Sequence, residues 1–256
     1  MTDPPPIDFY DGLADDYHLL YGDQWDDAVA HQGVALERII RAAAPDARTV
    51  LDCSCGIGTQ ALGLAQRGYQ VLGTDVSRRS LERARREAGR LALGAEFAPA
   101  DFRDLQTVDG RFDVVVSCDN ALPHLLDQQE VDRALSAMHA KLHPGGLLVI
   151  STRDYDRALT DRPAAAPPIL VPGPPRRVVV RLHDWDAPDS RLHTVRFLIL
   201  TDEDGDWTVT HHSTRYRAIT AGELGDAATR AGFADVNWLA PDAVGFHQPV
   251  MTAVRR

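Results

Sequence analysis

Val50-Leu51-Asp52-Cys53-Ser54-Cys55-Gly56-Ile57-Gly58-Thr59 is the stretch whose reading decides the fold of this chain. Val50-Leu51 is a short apolar strand, and Asp52 stands at its carboxyl end. The glycines then open a turn into a helix carrying Ala61, Leu62, Leu64 and Ala65, which stops at Gly68. Outward from this unit the same alternation repeats. Residues 69–74 read as a second strand ending at Asp75, and Ser77 is placed to cap a helix running through Ala88. Residues 95–98 and 112–117 read as a third and a fourth strand. Residues 130–142 read as a helix closed by Pro144-Gly145-Gly146, and residues 147–151 as a fifth strand. Upstream, residues 8–43 read as two helices, the second with a stripe of Val29, Val34, Leu36, Ile39 and Ile40 that Pro45 closes.

Strands alternating with helices of about a dozen residues predict an α/β fold, a Rossmann-like parallel sheet with helices on both faces. In such sheets ligands sit beyond the carboxyl ends of the strands, at the switch point beside the first one. That gathers residues 52–58, Asp75, Asp101 and residues 118–120 around one crevice. The rhythm breaks between about 156 and 217. A linker bearing Pro163, Pro167, Pro168, Pro172, Pro174 and Pro175 precedes three strand-like runs, 177–185, 192–200 and 207–216, with turn-rich residues between them. These predict an inserted antiparallel sheet that covers the crevice. Residues 220–231 return to helix, and 233–239 and 249–254 form two last strands, the final one antiparallel. The expected organisation is 1–155 for the N-terminal helices and core, 156–217 for the insert, and 218–256 for the completion of a seven-stranded sheet.

Composition narrows the function. The chain has 256 residues, 44% of them hydrophobic, enough for one large core. No apolar run approaches the roughly 18 residues that span a bilayer. The start, Met1-Thr2-Asp3-Pro4-Pro5-Pro6, has neither a basic nor an apolar leader region. Three cysteines, Cys53, Cys55 and Cys118, make no disulfide framework, and Cys53-Ser54-Cys55 lacks the spacing of a zinc site, so no metal and a cytoplasmic location are expected. A net charge of −10 disfavours nucleic acid, and Arg83-Ala84-Arg85-Arg86 reads as a solvated helix face. The expected partners are a small-molecule acceptor and, in a homo-oligomer, a second copy of the chain, with no membrane.

The glycine turn alone leaves two cofactors open. Gly56-Ile57-Gly58-Thr59-Gln60-Ala61 fits the dinucleotide pattern, with Asp75 at the distance of a ribose contact. Charge separates the candidates. A pyrophosphate needs a positive loop, whereas S-adenosylmethionine (SAM) brings an ammonium and a sulfonium that Asp52, Asp75 and Asp101 would attract.

Beyond the glycine turn, the chain resembles class I SAM-dependent methyltransferases of the glycine/sarcosine N-methyltransferase-like group. The likeness is carried by Phe9-Tyr10-Asp11, Tyr17, Tyr21-Gly22-Asp23, residues 51–59, Asp75, Asp101-Phe102, residues 118–125, Pro144-Gly145-Gly146 and residues 152–156. The resemblance implies that Ser54, Gly56 and Gly58 line the methionine side of SAM. It implies that Asp75 and Val76 meet the ribose, that Asp101 and Phe102 hold adenine, and that Cys118 borders the site. Tyr10 and Tyr17 would close over the sulfonium, Tyr17 alternatively being a packing residue. Tyr10 and His124 are the catalytic candidates, with a capping or core role as the other reading of His124. Asn120, Arg153 and Tyr216 would meet the acceptor, with Arg215 and Arg217 as further contacts. Arg153 would clamp a carboxylate, unless it pairs with Asp154 and Asp156. Where relatives carry an arginine for the methionine carboxylate, this chain has His31-Gln32.

Methyl transfer asks chiefly for alignment and exclusion of water. No general base stands out, which favours an amine over a hydroxyl acceptor. Transfer to oxygen on a small natural-product intermediate remains the alternative, followed by a nicotinamide-linked oxidoreductase and by a non-catalytic SAM-fold binding protein.

Overall fold

A computed structural model describes residues 5–256, so the reading of residues 1–4 lies outside it. The central sheet has seven strands: β1 (Thr49–Asp52), β2 (Gln70–Asp75), β3 (Glu96–Pro99), β4 (Phe112–Ser117), β5 (Leu142–Ser151), β10 (Phe233–Leu239) and β11 (Val250–Arg255). Their order is β10-β11-β5-β4-β1-β2-β3. The first five run parallel, and β11 is antiparallel to both β5 and β10. This is the α/β sheet that the alternation predicts.

Alternate residues of the middle strands feed two separate cores, as the two-residue period of a strand requires. Leu51, Val115, Leu148 and Ile150 pack against Val131, Leu135 and Met138 of α5 (Gln128–Lys141) and Leu224 of α7 (Ala221–Arg230). Val50, Val114, Val116 and Val149 pack on the other face. Their partners there are Leu36, Ile39 and Ile40 of α2 (Trp25–Ala43), Leu64 of α3 (Thr59–Gln66) and Leu81 of α4 (Arg78–Arg90). A strand covered on both faces reads as a continuous apolar run, and Val114-Val115-Val116 is one. Ser77 caps α4 by accepting from Ser80 N.

Several expectations change. The region read as two helices holds α1 (Pro6–Leu13), a 3-10 turn (Tyr17–Tyr21) and α2. Val34 leaves the inward stripe, and Ala35 takes its place beside Leu36. β5 begins at Leu142, ahead of Pro144-Gly145-Gly146, because Leu142 already pairs with Phe112. A helix, α6 (Tyr155–Asp161), and a short strand, β6 (Ile169–Val171), fall where only linker was expected.

β6 pairs with β7 (Arg176–Trp185), which continues through β8 (Leu192–Glu203) to β9 (Asp206–Arg217) as a four-stranded antiparallel sheet. One face of it buries Val179, Val195, Phe197 and Tyr216 against Phe9, Leu13 and Leu19. The N-terminal segment is thus clamped between this sheet and the carboxyl edge of the central one. α8 (Pro241–Val244) completes the elements. No helix among the described residues is long and apolar enough to cross a membrane.

Candidate functional site

The β1–α3 turn is the foundation of the site. Cys55 N donates to Thr74 O at 3.0 Å, binding the turn to β2. Gly56 takes a left-handed conformation (φ +52°) that glycine adopts without strain, and its N–H donates to Asp75 Oδ2 at 2.9 Å. Ser77 N donates to Asp75 Oδ1 at 2.9 Å. Burial raises the Asp75 pKa above the ordinary carboxylate value, and the backbone donors oppose that rise.

A cavity of about 320 Å³ opens above this turn. Its wall brings together Tyr10, Tyr17, Ser54, Gly56, Asp75, Val76, Asp101, Phe102, Cys118 and His124. Two expected residues do not line it. Asp52 is wholly buried behind the turn, and Gly58 is the N-cap of α3. A side chain at Gly58 would meet Leu62 and Ala84 at 3.2 Å, so that glycine serves the turn (φ +97°) and helix packing.

The acids differ in charge state. Burial pushes the Asp52 pKa up to about 7, and Asp52 Oδ2 has no hydrogen-bond partner. Burial also opposes ionisation of Asp101, but Arg103 grips it through Nε, Nη2 and backbone N and holds it below its ordinary value. Asp75 is therefore the expected acid that faces the cavity without a cationic partner.

Asp119 is a further acid of that wall. Asp119 and Asn120 have φ of +64° and +72°, a left-handed conformation that non-glycine residues rarely take and that costs backbone energy. Burial opposes ionisation of Asp119, yet His247 (Nε2 to Oδ1, 2.7 Å), Tyr21 and Gln60 hold it below its ordinary value. Gln60 Nε2 also donates to Gln32 Oε1 at 2.6 Å, so Gln32 is committed within the protein.

His124 Nε2 lies 2.9 Å from Tyr10 Oη and Nδ1 lies 3.3 Å from Thr214 Oγ1. Its ring stands edge-on to Tyr216 at 4.7 Å. Burial pulls its pKa down to about 3, so the imidazole is neutral and a weak proton acceptor. In this arrangement His124 positions Tyr10. Burial raises both Tyr10 and Tyr17 well above ordinary phenols, keeping them protonated.

A second cavity, of about 800 Å³, shares Tyr17 and Asp119 with the first and is bordered by His31, Asn120, Arg153, Arg181 and Tyr216. The Asn120 side chain is largely spent: Thr152 Oγ1 and Arg153 N donate to Oδ1, both at 3.2 Å, and Nδ2 donates to Tyr155 Oη. It fixes the end of β5 from which Arg153 projects. Arg153 does not pair with its neighbouring acids. Asp154 caps α6 by accepting from Arg157 N, and Asp156 accepts from Ala221 N. The Arg153 guanidinium instead meets His183 Nε2 at 3.2 Å. Arg215 and Arg217, expected as acceptor contacts, pair with Asp186 and Glu223.

Residues 50–146 match the family model of a methyltransferase domain. The chain carries a class I SAM-dependent methyltransferase domain. It is 34% identical over 114 residues to the glycine/sarcosine N-methyltransferase of Parasynechococcus marenigrum, covering 44% of this chain and 40% of that protein. It is 38% identical over 109 residues to the cypemycin N-terminal methyltransferase of a Streptomyces species, covering 43% of each. The chain thus spans less than half the length of these curated relatives. The fold matches the SAM-bound amino pentose methyltransferase of Micromonospora echinaspora, with TM-score 0.74, 23% identity, and 94% and 96% of the two chains covered. It also matches a sugar N-methyltransferase of Streptoalloteichus, with TM-score 0.76, 23% identity, and 94% and 92% covered.

SAM is the cofactor of this methyltransferase domain, and the residues present fit it. Asp75 offers carboxylate oxygens at the end of β2, where a ribose diol can donate. With Asp75, the acid Asp119 on the cavity wall suits a cation better than a diphosphate. Sequence reasoning placed Asp119 at the crevice within residues 118–120 but gave it no role, and it missed Arg181. Asp119 left only the faint signal of an acid beside Cys118 after a strand. Arg181 left a clearer one, a charge on the inward face of β7 between Val179 and His183.

Proposed function

We propose that this chain transfers the methyl group of SAM to the amine of a small acceptor that bears a carboxylate. The observation that carries the reading is Arg153, a guanidinium in the wall of the second cavity with no acidic partner among the described residues. A planar fork of that kind matches a carboxylate. The cavities share Tyr17 and Asp119, so an acceptor held by Arg153 would lie beside the cofactor pocket. When bound, SAM supplies an electrophilic methyl carbon with a neutral thioether as leaving group.

Every other contribution is made by the chain. Asp75, Phe102 and the Gly56 turn would fix the cofactor, and Tyr10 and Tyr17 would close over its charged centre, where aromatic faces favour a cation. α1 and the antiparallel sheet exclude water from the junction. Burial and the guanidiniums of Arg153 and Arg181 favour the free base of an amine, which is the nucleophilic form. With His124 neutral and weakly basic, the His124–Tyr10 pair is poorly suited to take a proton from an ordinary hydroxyl. That supports nitrogen over oxygen. The names of the relatives point the same way, since a glycine/sarcosine N-methyltransferase, an amino pentose methyltransferase and a sugar N-methyltransferase all act on compounds that bear an amine. The test is turnover of methyl-labelled SAM against matched pools of amino acids, amino sugars and their hydroxyl analogues. Label is expected in amines only; label confined to hydroxyl analogues would overturn the proposal.

A further inference from the structure

Arg181 stands on the inward face of β7, where the two-residue period of the strand otherwise places Val179 and His183, both buried. Its Nε is buried without a hydrogen bond, and no acidic oxygen of the described residues pairs with it. Arg153 borders the same cavity of about 800 Å³, and among the described residues its guanidinium hydrogen-bonds only the neutral ring of His183. Two acids share that wall, Asp119 and Asp242; Asp119 is already engaged by Tyr21, His247 and Gln60, and neither forms an ion pair with Arg153 or Arg181. Other arginines of the insert have acids of their own: Arg176 has Asp202, Arg196 has Asp184, and Arg215 has Asp186. Two guanidiniums therefore face one partly enclosed space, neither with an ion-pair partner among the described residues, an arrangement that favours an anionic ligand. One carboxylate satisfies one guanidinium fork; two forks call for a second negative charge.

We propose that the acceptor carries two negative charges beside its amine, one set against Arg153 and one against Arg181, as two carboxylates or as a phosphate dianion. The proposal rests on the methyltransferase reading of the same site. It makes Arg181 a specificity-determining residue, selecting dianionic amines over monocarboxylate ones.

The test uses the full chain saturated with S-adenosylhomocysteine and follows the melting temperature during titration with acetate, succinate or inorganic phosphate at matched ionic strength. Succinate or phosphate is expected to bind about tenfold or more tighter than acetate, the scale of one added charge-assisted contact. Arg181→Met is expected to reduce that ligand to the acetate level while the shift caused by S-adenosylhomocysteine stays unchanged. A preference for succinate identifies the second carboxylate, and a preference for phosphate identifies the phosphoryl group. Equal affinity for all three anions, or a preference that survives Arg181→Met, overturns the proposal. Should Arg181→Met not fold, Arg181→Lys decides: loss of most of the preference supports the fork, and full retention refutes it. Failure to respond to S-adenosylhomocysteine would instead refute the methyltransferase reading, so the two failures are distinguishable.

Discussion

Asp52→Asn examines how the β1–α3 turn tolerates a buried acid. The Asp52 carboxyl has no exposed surface; Oδ1 accepts a 3.4 Å bond from Ser54 N, and Oδ2 has no partner. Burial moves its pKa from an ordinary 3.8 to about 7. Between those values the folded chain holds a proton that the unfolded chain has released, so stability falls as pH rises through the window. Above about pH 7 the full penalty is present, on the order of 4 kcal/mol. Asparagine keeps the shape and removes the charge, but it buries an amide donor that costs about 1–3 kcal/mol when unpaired. The difference leaves a net gain of about 1–3 kcal/mol at pH 8. At pH 4 the folded acid is neutral and the unfolded one only about half ionised, so little of the penalty remains, the gain disappears, and the substitution destabilises by about 1–3 kcal/mol. Urea unfolding of both proteins at pH 4, 6 and 8 measures the crossing. Equal differences at all three pH values would refute the reasoning, because they would show that Asp52 does not titrate in the window.

Gly63→Ala is expected to destabilise by about 1–3 kcal/mol, since a Cβ there would lie 2.4 Å from Val29 O and 2.9 Å from Gly33, backbone that cannot swing aside; urea unfolding checks it, and an unchanged midpoint would show that α2 and α3 separate freely. Arg153→Met is expected to raise the acceptor KM about tenfold or more with kcat little changed, as loss of a charge-assisted contact made equally in ground and transition states. Steady-state kinetics beside S-adenosylhomocysteine affinity checks this, and a matching loss of cofactor affinity would contradict the acceptor role.

The parts of the fold legible in sequence are those set by local pattern. The apolar run of β4 declares itself because its side chains alone demand burial, and the strand at 233–239 because Phe233, Val236 and Trp238 follow a helix stop at Gly232. β6 does not: three residues among prolines become a strand only through pairing with Val178 and Val179 of β7. The start of β5 was hidden by Pro144-Gly145-Gly146, a local stop signal overridden by the pairing of Leu142 with Phe112. The site divides the same way. Gly56 and Asp75 lie at a spacing that one strand–turn–helix–strand unit fixes. Which side of the turn faces the cavity is a matter of three-dimensional packing, and there Asp52 and Gly58 were misplaced. Asp119 depends on Tyr21, Gln60 and His247, which the fold draws from three distant segments, and its left-handed backbone has no sequence signature. Arg181 was readable as a charge on an apolar strand face, although only the folded wall shows that it has no acid.

Calorimetric titration of the chain and of Asp75→Ala with S-adenosylhomocysteine and, separately, with NAD⁺ bears most directly on the cationic-donor pocket. Wild type should bind S-adenosylhomocysteine at one site per chain and leave NAD⁺ unbound, and Asp75→Ala should weaken the former by about tenfold or more, as expected for losing hydrogen bonds to a charged acceptor. Binding of NAD⁺ in preference to S-adenosylhomocysteine, or full affinity in Asp75→Ala, would contradict it.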